Sequence, residues 1–105
     1  MPSTQVSAEQ AFLQQGAAQA AALLRALGNE NRLLVLCLLI EQGELSVGAL
    51  RERIPLGQSA LSQHLARMRE EGLVSFRRES QTLYYRIANP AVHQLVATLK
   101  SIYCA

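Results

Sequence analysis

The chain has 105 residues, which is the length of one domain with a modest hydrophobic core. Half of its residues are apolar, only 5% are aromatic and tryptophan is absent, a composition that favours packed helices over a β-sandwich. The formal charge of +2 is too small to indicate a nucleic-acid partner by itself. We expect a disordered lead-in at residues 1–7 and a single domain over residues 8–105.

Positive charge is concentrated in the second half of the chain. Seven of the nine arginines lie within residues 51–86 together with four glutamates, so this segment has a net charge of +3 and the remainder −1. Arginine forms forked hydrogen bonds with phosphates and guanines, although it also makes ordinary ion pairs. The distribution therefore indicates a mild positive field on one part of the molecule.

The chain carries no sign of export or of a membrane span. Its N-terminus lacks the basic start and apolar core of a signal peptide, and the apolar run at residues 33–40 is too short to cross a bilayer. We therefore expect a soluble, cytoplasmic protein without a membrane partner. In a reducing compartment Cys37 and Cys104 are not expected to form a static disulfide, so any pairing should be conditional.

Two helices are predicted first along the chain. The first covers residues 8–27 and ends at Gly28. Asn29 caps a second helix over residues 30–42, which is apolar nearly all round from residue 33 to 40 and is therefore predicted as the buried centre. The apolar face of the first helix consists of Phe12, Ala20, Leu23, Leu24 and Leu27.

A short helix and a sharp turn follow. Ser46 is positioned to cap a third helix over residues 47–53, and Pro55 and Gly57 then prevent its continuation. A fourth helix is predicted over residues 58–71. Its apolar positions, at i, i+4 and i+7, are Leu61, Leu65 and Met68.

The hydrophobic period changes to two after the fourth helix. Residues 73–79 and 82–87 are rich in β-branched, aromatic and other large apolar residues and are predicted as two strands. They are joined at Ser80 and Gln81, a pair without the glycine or asparagine that a tight primed turn prefers. The sequence therefore predicts a hairpin but not its turn type.

A last helix completes the chain. Asn89 is predicted to cap it and Pro90 to occupy its first position. The order of helix, helix, short helix, turn, helix, ribbon and helix is the layout of a winged helix-turn-helix, a mainly α fold with a small β-hairpin. The apolar stripe of the last helix consists of Val92, Leu95, Val96, Leu99 and Ile102.

In this layout the fourth helix is the candidate reader of DNA. A helix fits the major groove, and short polar side chains on it reach base edges or phosphates. From periodicity alone these side chains are equally well the solvated face of an amphipathic helix. On the hairpin, Arg77 and Arg78 supply charge to a DNA backbone, although Glu79 beside them weakens this interpretation. The candidate contacts on the helix are Gln58, Ser59, Ser62, Gln63, His64 and Arg67.

Five short motifs resemble the ArsR/SmtB family of bacterial transcriptional regulators. The resemblance extends from about residue 18 onward and implies a homodimeric winged helix-turn-helix repressor. It implies dimerisation through the first and last helices and recognition of double-stranded operator DNA by the fourth. The wide apolar stripe of the last helix agrees with a two-fold partner. The motifs are ELSVGAL at 44–50, GQSALSQHL at 57–65, GLV at 72–74, RRE at 77–79 and YYR at 84–86.

Metal sensing is one alternative within that family. Its metal-sensing members carry Cys-x-Cys in the third helix, where this chain has Ser46, Val47 and Gly48, and neither serine nor glycine is a soft-metal ligand. Another family site needs Asp and His along the last helix, which offers only His93. His93 of one subunit with Cys104 of another makes a poor zinc site without a carboxylate. We therefore expect no metal and no cofactor, and keep a metal-sensing repressor as an alternative.

The two cysteines have a simple interpretation and a functional one. Cys37 packs as a small hydrophobe in the run LLVLCLLI, and Cys104 is a tolerated terminal residue. Their placement, however, resembles the BigR/SqrR persulfide-sensing and HlyU-like redox branch of the family. The resemblance implies a thiol switch in which reactive sulfur species or an oxidant link Cys37 to Cys104 through a disulfide or polysulfide bridge and DNA is released. Cys104, nearer solvent, is expected to react first.

Three competing functions remain to be weighed. The chain has no aspartate, two histidines and no Gly-rich phosphate loop, so we do not expect an enzyme. A protein-interaction module fits the small net charge. Among DNA binders, an HlyU-like redox-responsive regulator that counteracts another silencing protein is the alternative to a persulfide-responsive repressor.

Overall fold

The computed structural model describes residues 7–104. The predicted lead-in at residues 1–7 lies outside this part of the chain, apart from Ser7, which caps the first helix. The predicted mainly α fold with a small β-hairpin is confirmed. The elements are α1 Ala8–Ala11, a π-helical turn Phe12–Gly16, α2 Ala17–Leu27, α3 Glu30–Gln42, β1 Leu45–Ser46, α4 Val47–Arg53, α5 Gln58–Glu70, β2 Val74–Glu79, β3 Thr82–Ile87 and α6 Pro90–Tyr103.

Three helices begin at the caps that the sequence predicts. The side chain of Asn29 accepts hydrogen bonds from the backbone N–H groups at positions 31 and 32, at 3.0 and 3.1 Å. Ser46 accepts one from position 49 at 3.1 Å, and Asn89 one from position 91 at 2.9 Å, with Pro90 in the first helical position. Each cap stabilises its helix by about 1 kcal/mol.

The first predicted helix is not a regular α-helix throughout. Residues 8–27 are helical, but a π-helical turn at Phe12–Gly16 separates α1 from α2. The ring of Phe12 lies against Gly16 so closely that an added Cβ there would be 2.8 Å from its Cδ1 atom. Helical periodicity in sequence does not register such a turn, because it inserts a single extra residue.

The sheet has a third strand that the sequence does not predict. Two-residue β1 pairs antiparallel with β3, and β3 pairs antiparallel with β2, in the order β1-β3-β2. Its register places Leu45 opposite Tyr85. Because β1 has two residues, it is too short for an alternating pattern, and tertiary pairing alone defines it. It anchors the wing, which we define as strands β2 and β3 and their loop, beside α4.

The core lies where α3, α5 and α6 meet the sheet. On α3, Val35, Leu36 and Leu39 are fully buried, as expected for the central helix, although Leu34 is 40% exposed. The predicted α5 stripe is confirmed, since all three of its residues are buried. Burial of a side chain of this size contributes about 1.5 to 3 kcal/mol. The stripe orients α5, because its burial fixes which residues of the helix face solvent.

The molecule is elongated. Its radius of gyration is 16.6 Å, against about 13 Å expected for a domain of this length, and its longest dimension is 59 Å. Every residue from Ser7 to Gln15 is exposed, including Phe12 and Leu13. Among the described residues no helix has the length and apolar character needed to cross a membrane.

The wing ends in a strained two-residue loop, Ser80-Gln81. Within residues 7–104, Ser80 is the one non-glycine residue with positive φ, at 57°. Glycine there avoids the left-handed penalty of roughly 1 to 2 kcal/mol but increases the entropy of the unfolded chain. We expect Ser80→Gly to raise the free energy of unfolding by ~0.5 kcal/mol, measured by denaturant titration. Gln81→Gly is the matched control and should lower it, and equal effects of the two substitutions would contradict the strain.

Candidate nucleic-acid interface and cysteine pair

Helix α5 presents a continuous polar face to solvent. Five of the six predicted contacts on this helix are exposed, and they lie opposite its buried apolar stripe. Ser59, Ser62 and Gln63 follow the i, i+3, i+4 spacing of one helix face, and Arg67 continues it one turn further. The structure thus brings these side chains together on one protruding surface. The exposed five are Gln58, Ser59, Ser62, Gln63 and Arg67.

The sixth predicted contact on α5, His64, is half-buried because it packs against α3. Arg32 of α3 donates its Nε–H to Nδ1 of His64 at 3.2 Å. The same guanidinium donates from Nη1 to the carbonyl oxygen of Ala26 at 3.1 Å and lies 3.5 Å from Oε1 of Glu71. Arg32 therefore joins the C-terminal end of α2 and the first turn of α3 to the middle and the C-cap of α5.

This environment disfavours the charged form of His64. Burial of the ring lowers the pKa of His64 below its usual value of 6.5, and the positive charges of Arg32 and Arg67 lower it further. A protonated ring would also turn Nδ1 into a donor facing the Nε–H of Arg32. His64 is therefore neutral at physiological pH.

Arg77, one of the two predicted wing contacts, is held by acidic partners. Its Nε donates to both carboxylate oxygens of Glu44, at 3.2 and 3.0 Å, and its Nη2 donates to Glu44 Oε1 at 2.9 Å. Its Nη1 donates to Glu79 at 2.6 Å, and its guanidinium lies 4.5 Å from the ring centroid of Tyr84. The hydrogen bond from Arg77 lowers the pKa of Glu44. Two carboxylates thus offset the charge of Arg77, and the one of Glu44 ties β2 to the residue before β1.

Of the two predicted wing contacts, Arg78 is the one whose charge is not offset by an acidic neighbour in the described chain. It is exposed near the tip of β2, and within residues 7–104 no carboxylate lies within ion-pair distance of it.

A cation–π contact connects the wing to α5, since the guanidinium of Arg69 lies 5.0 Å from the ring centroid of Phe76.

The two cysteines occupy contrasting positions, and both are free thiols. Cys37 is half-buried on α3 and packs against the hydrophobic core. Cys104 is exposed at the C-cap of α6, where its N–H donates to the carbonyl oxygen of Lys100 at 2.8 Å. Helices α3 and α6 are in direct contact within the chain. One thiol is accessible to solvent and the other lies on the helix that α6 packs against.

An apolar surface extends along α2 and α6. Leu24 is 61% exposed and Ile102 63%, and Tyr103 is more exposed still. Between them lies a groove of about 210 Å³, lined by Leu24, Leu27, Gly28, Leu33, Leu95, Thr98 and Leu99. Large exposed apolar surfaces of this kind mark protein contacts.

The residues weighed as metal ligands do not converge. Ser46 is used as a helix cap, and His93 is exposed on α6. In the part of the chain that the structure describes, no three His, Cys or Glu side chains are grouped so that they would hold a metal ion.

A helix-turn-helix whose second helix is exposed and polar, followed by a small wing, defines the winged helix-turn-helix class of DNA-binding regulators. Residues 29–75 match the family model described as bacterial regulatory protein, arsR family. The chain belongs to this family. Its relatives YgaV and HlyU are described as a transcriptional regulator and a transcriptional activator.

Three similar proteins place the chain within the family. The HTH-type transcriptional regulator YgaV of Escherichia coli (strain K12) is 50% identical over 96 residues, 91% of this chain and 97% of YgaV. A structure of reduced HlyU from Vibrio cholerae N16961 has a TM-score of 0.82 at 45% identity, covering 89% of this chain and 97% of that chain. The transcriptional repressor BigR from Xylella fastidiosa has a TM-score of 0.84 at 40% identity, covering 91% and 97%. The predicted resemblance to the family and to its HlyU and BigR branch is confirmed.

Sequence reasoning missed two residues that organise the site. Arg32 lies 32 positions from His64, and Glu44 lies 33 positions from Arg77. No local spacing connects such partners. The excess of arginine in the chain is the one available signal, and it does not identify a partner for any of them.

The lowered pKa of His64 has a consequence for stability. Because the unfolded chain binds the proton more tightly, stability that is present above pH 6.5 is lost as the pH falls toward the lower pKa of the folded state. We expect His64→Gln to reduce the fall in melting temperature between about pH 7.5 and 5.5. His93→Gln, at the second histidine, is the control and should retain the wild-type dependence. An unchanged dependence in His64→Gln would contradict the assignment.

Proposed function

We propose that the chain is a homodimeric DNA-binding transcriptional repressor that releases its operator when a sulfur bridge joins Cys37 to Cys104. The observation that carries the first half is the exposed polar face of α5, which is fixed in orientation by a fully buried stripe. Membership of the arsR family supports the same assignment. Transcriptional repressor is also the description of BigR, 40% identical to this chain.

Helix α5 enters the major groove in this proposal. Its exposed serine, glutamine and arginine side chains contact base edges and phosphates. Arg78 reaches the adjacent backbone from the wing, while Arg77 stabilises the wing through Glu44. A dimer presents two such helices to half-sites about 34 Å apart on one side of the duplex.

The apolar surface of α2 and α6 is the proposed dimer interface. Its exposed leucine and isoleucine side chains cost free energy while they face water. The elongated shape agrees with such an interface, because α1 and the start of α2 extend away from the core of their own chain. In a dimer with two-fold symmetry, each chain would cover the apolar surface of α2 and α6 and the extended α1 of the other.

The switch uses two thiol exchanges with a persulfide, RSSH. The Cys104 thiolate attacks its outer sulfur, so that RSH leaves and Cys104 becomes a persulfide. The Cys37 thiolate then attacks the inner sulfur, which forms the disulfide and releases hydrogen sulfide. The persulfide supplies the oxidising equivalent. If a second RSSH first converts Cys37 to a persulfide and releases RSH, the outer sulfur on Cys37 attacks the inner sulfur of the Cys104 persulfide, releases hydrogen sulfide and leaves a trisulfide bridge. The exposure of Cys104 and the partial burial of Cys37 support this order.

A bridge between α3 and α6 changes DNA binding through geometry. It joins a core helix of the reading unit to a helix of the proposed dimer interface, and so alters the spacing of the two α5 helices. A coupling of about 1 to 3 kcal/mol changes operator occupancy roughly 5- to 150-fold.

Arg77 and Arg78 should differ in their effect on DNA binding. We expect Arg78→Gln to weaken binding and to reduce the salt slope, d log K/d log[salt], by about 0.9 per protomer, because it removes one phosphate contact. Arg77→Gln should change the slope less, since Glu44 and Glu79 already offset its charge. Fluorescence anisotropy with a duplex from the gene's own upstream region measures both.

The same titration tests the function itself. A wild-type chain whose binding is independent of salt would contradict DNA binding and favour a protein-interaction module. An equal slope change in the two arginine variants would contradict the division of roles between Arg77 and Arg78.

The cysteines have their own experiment. We expect Cys37→Ser and Cys104→Ser to bind the operator as tightly as wild type does and to remain bound when glutathione persulfide is added. Mass spectrometry of the treated wild-type chain should find a linked Cys37–Cys104 peptide and count its sulfur atoms. Release of DNA by both variants as by wild type would contradict the switch. A link formed by peroxide but not by persulfide would favour a general oxidant response.

A further inference from the structure

The hydrogen bond between Arg32 and His64 determines where the histidine carries its proton. The guanidinium of Arg32 has five donors and no acceptor, and its side chain is only 13% exposed. Its Nε–H points to Nδ1 of His64 at 3.2 Å, so Nδ1 must be an unprotonated acceptor. A neutral imidazole carries one proton, which is then placed on Nε2.

A shallow cleft of about 250 Å³ opens beside this pair. The residues that line it are Arg32, Ala60, Gln63, His64 and Arg67, so the lining combines two guanidinium groups, a side-chain amide and an imidazole without a carboxylate. Two of its residues, Gln63 and Arg67, belong to the exposed side of α5 that faces the proposed DNA. A phosphodiester has two acceptor oxygens and one negative charge, which suits such a lining.

We propose that this cleft binds one backbone phosphate of the DNA, and that Arg32 is a positioning residue that holds His64 in the Nε2–H form for that contact. The inference rests on the proposed DNA-binding function and adds an assigned contact to it. Arg67 supplies charge to the phosphate, and neutral His64 supplies a directional donor. Arg32 acts through His64.

The charges around His64 come from each element packed against it. Arg32 approaches from α3 and Arg67 from the next turn of α5, while Glu71 pairs with Arg32 on the side away from the ring. A second proton on the ring would set two donors against each other at Nδ1. The ring therefore keeps a fixed donor and acceptor orientation, which an isolated surface histidine lacks.

The first experiment needs no DNA. Nitrogen-15 NMR of the full wild-type chain should show His64 protonated on Nε2 and unprotonated on Nδ1. Arg32→Met removes the donor and should give an average of the two tautomers and protonation at higher pH. Arg25→Met, the same substitution at an exposed arginine of α2, is the control and should leave the signals unchanged. Melting curves check that each variant is folded, and an Nδ1–H ring in wild type would overturn the positioning role.

The second experiment measures affinity for duplex DNA. Glutamine places a donor near the Nε2 position of histidine and asparagine near Nδ1, so His64→Gln should bind within about threefold of wild type. His64→Asn should lose about tenfold or more. Neither should change the salt slope, because the ring is neutral, whereas Arg67→Gln should reduce it by about 0.9 per protomer. Equal affinities of the two His64 variants would overturn the phosphate contact.

The two experiments separate this inference from the function on which it rests. Normal DNA binding by a chain whose His64 carries its proton on Nδ1 overturns the inference alone. The Nε2–H form in a chain that binds no duplex overturns the proposed function and the phosphate contact. Inorganic phosphate, added at the concentration of duplex phosphate, should leave the His64 signals unmoved. If it shifted them as much as duplex DNA does, the cleft would be assigned to free anions instead.

Discussion

The contact of Arg32 with His64, Ala26 and Glu71 is the constraint on which the reading surface depends. A charged side chain that is 13% exposed is costly unless its donors are satisfied, and here a carbonyl, an imidazole and a carboxylate satisfy them. These acceptors belong to α2 and to the middle and C-cap of α5, while Arg32 belongs to α3. The buried stripe sets the rotation of α5, and Arg32 fixes α5 relative to the helices behind it.

Helix α3 thereby carries two groups with different tasks. Arg32 lies in its first turn and Cys37 five residues further on, about 7.5 Å along the axis. Between and beside them Val35, Leu36 and Leu39 are fully buried, so α3 moves as a rigid body or not at all. In the proposed switch a bridge at Cys37 acts on this body, and Arg32 transmits any displacement to His64. One guanidinium and one thiol on a single helix would be a short physical connection between the proposed inducer and DNA.

The fold was largely predictable because its signals are local. The caps at Asn29, Ser46 and Asn89 and the stripe of α5 each depend on residues within one or two turns of each other. The π-helical turn and β1 were not predictable, since one is a single inserted residue and the other is two residues long. In the site, the polar face of α5 followed from periodicity. The engagement of Arg77 by Glu44, across 33 positions, did not, because tertiary proximity leaves no trace in spacing.

Some residues of α5 contact the rest of the protein and others face only solvent. This division determines which residues to change if the proposed repressor is to be directed to a new operator. Ser59, Ser62 and Gln63 are exposed and make no hydrogen bond to another element in the described chain. Substitutions at these positions therefore break no hydrogen bond that holds α5 in place. His64 is constrained by its hydrogen bond with Arg32 of α3 in addition to its proposed phosphate contact. In a library that randomises the whole helix, most members would therefore lose the buried stripe or the Arg32 contact that holds α5 in place. Randomising Ser59, Ser62 and Gln63, of which Gln63 also lines the proposed phosphate cleft, would vary the proposed DNA contacts while α5 stays in place.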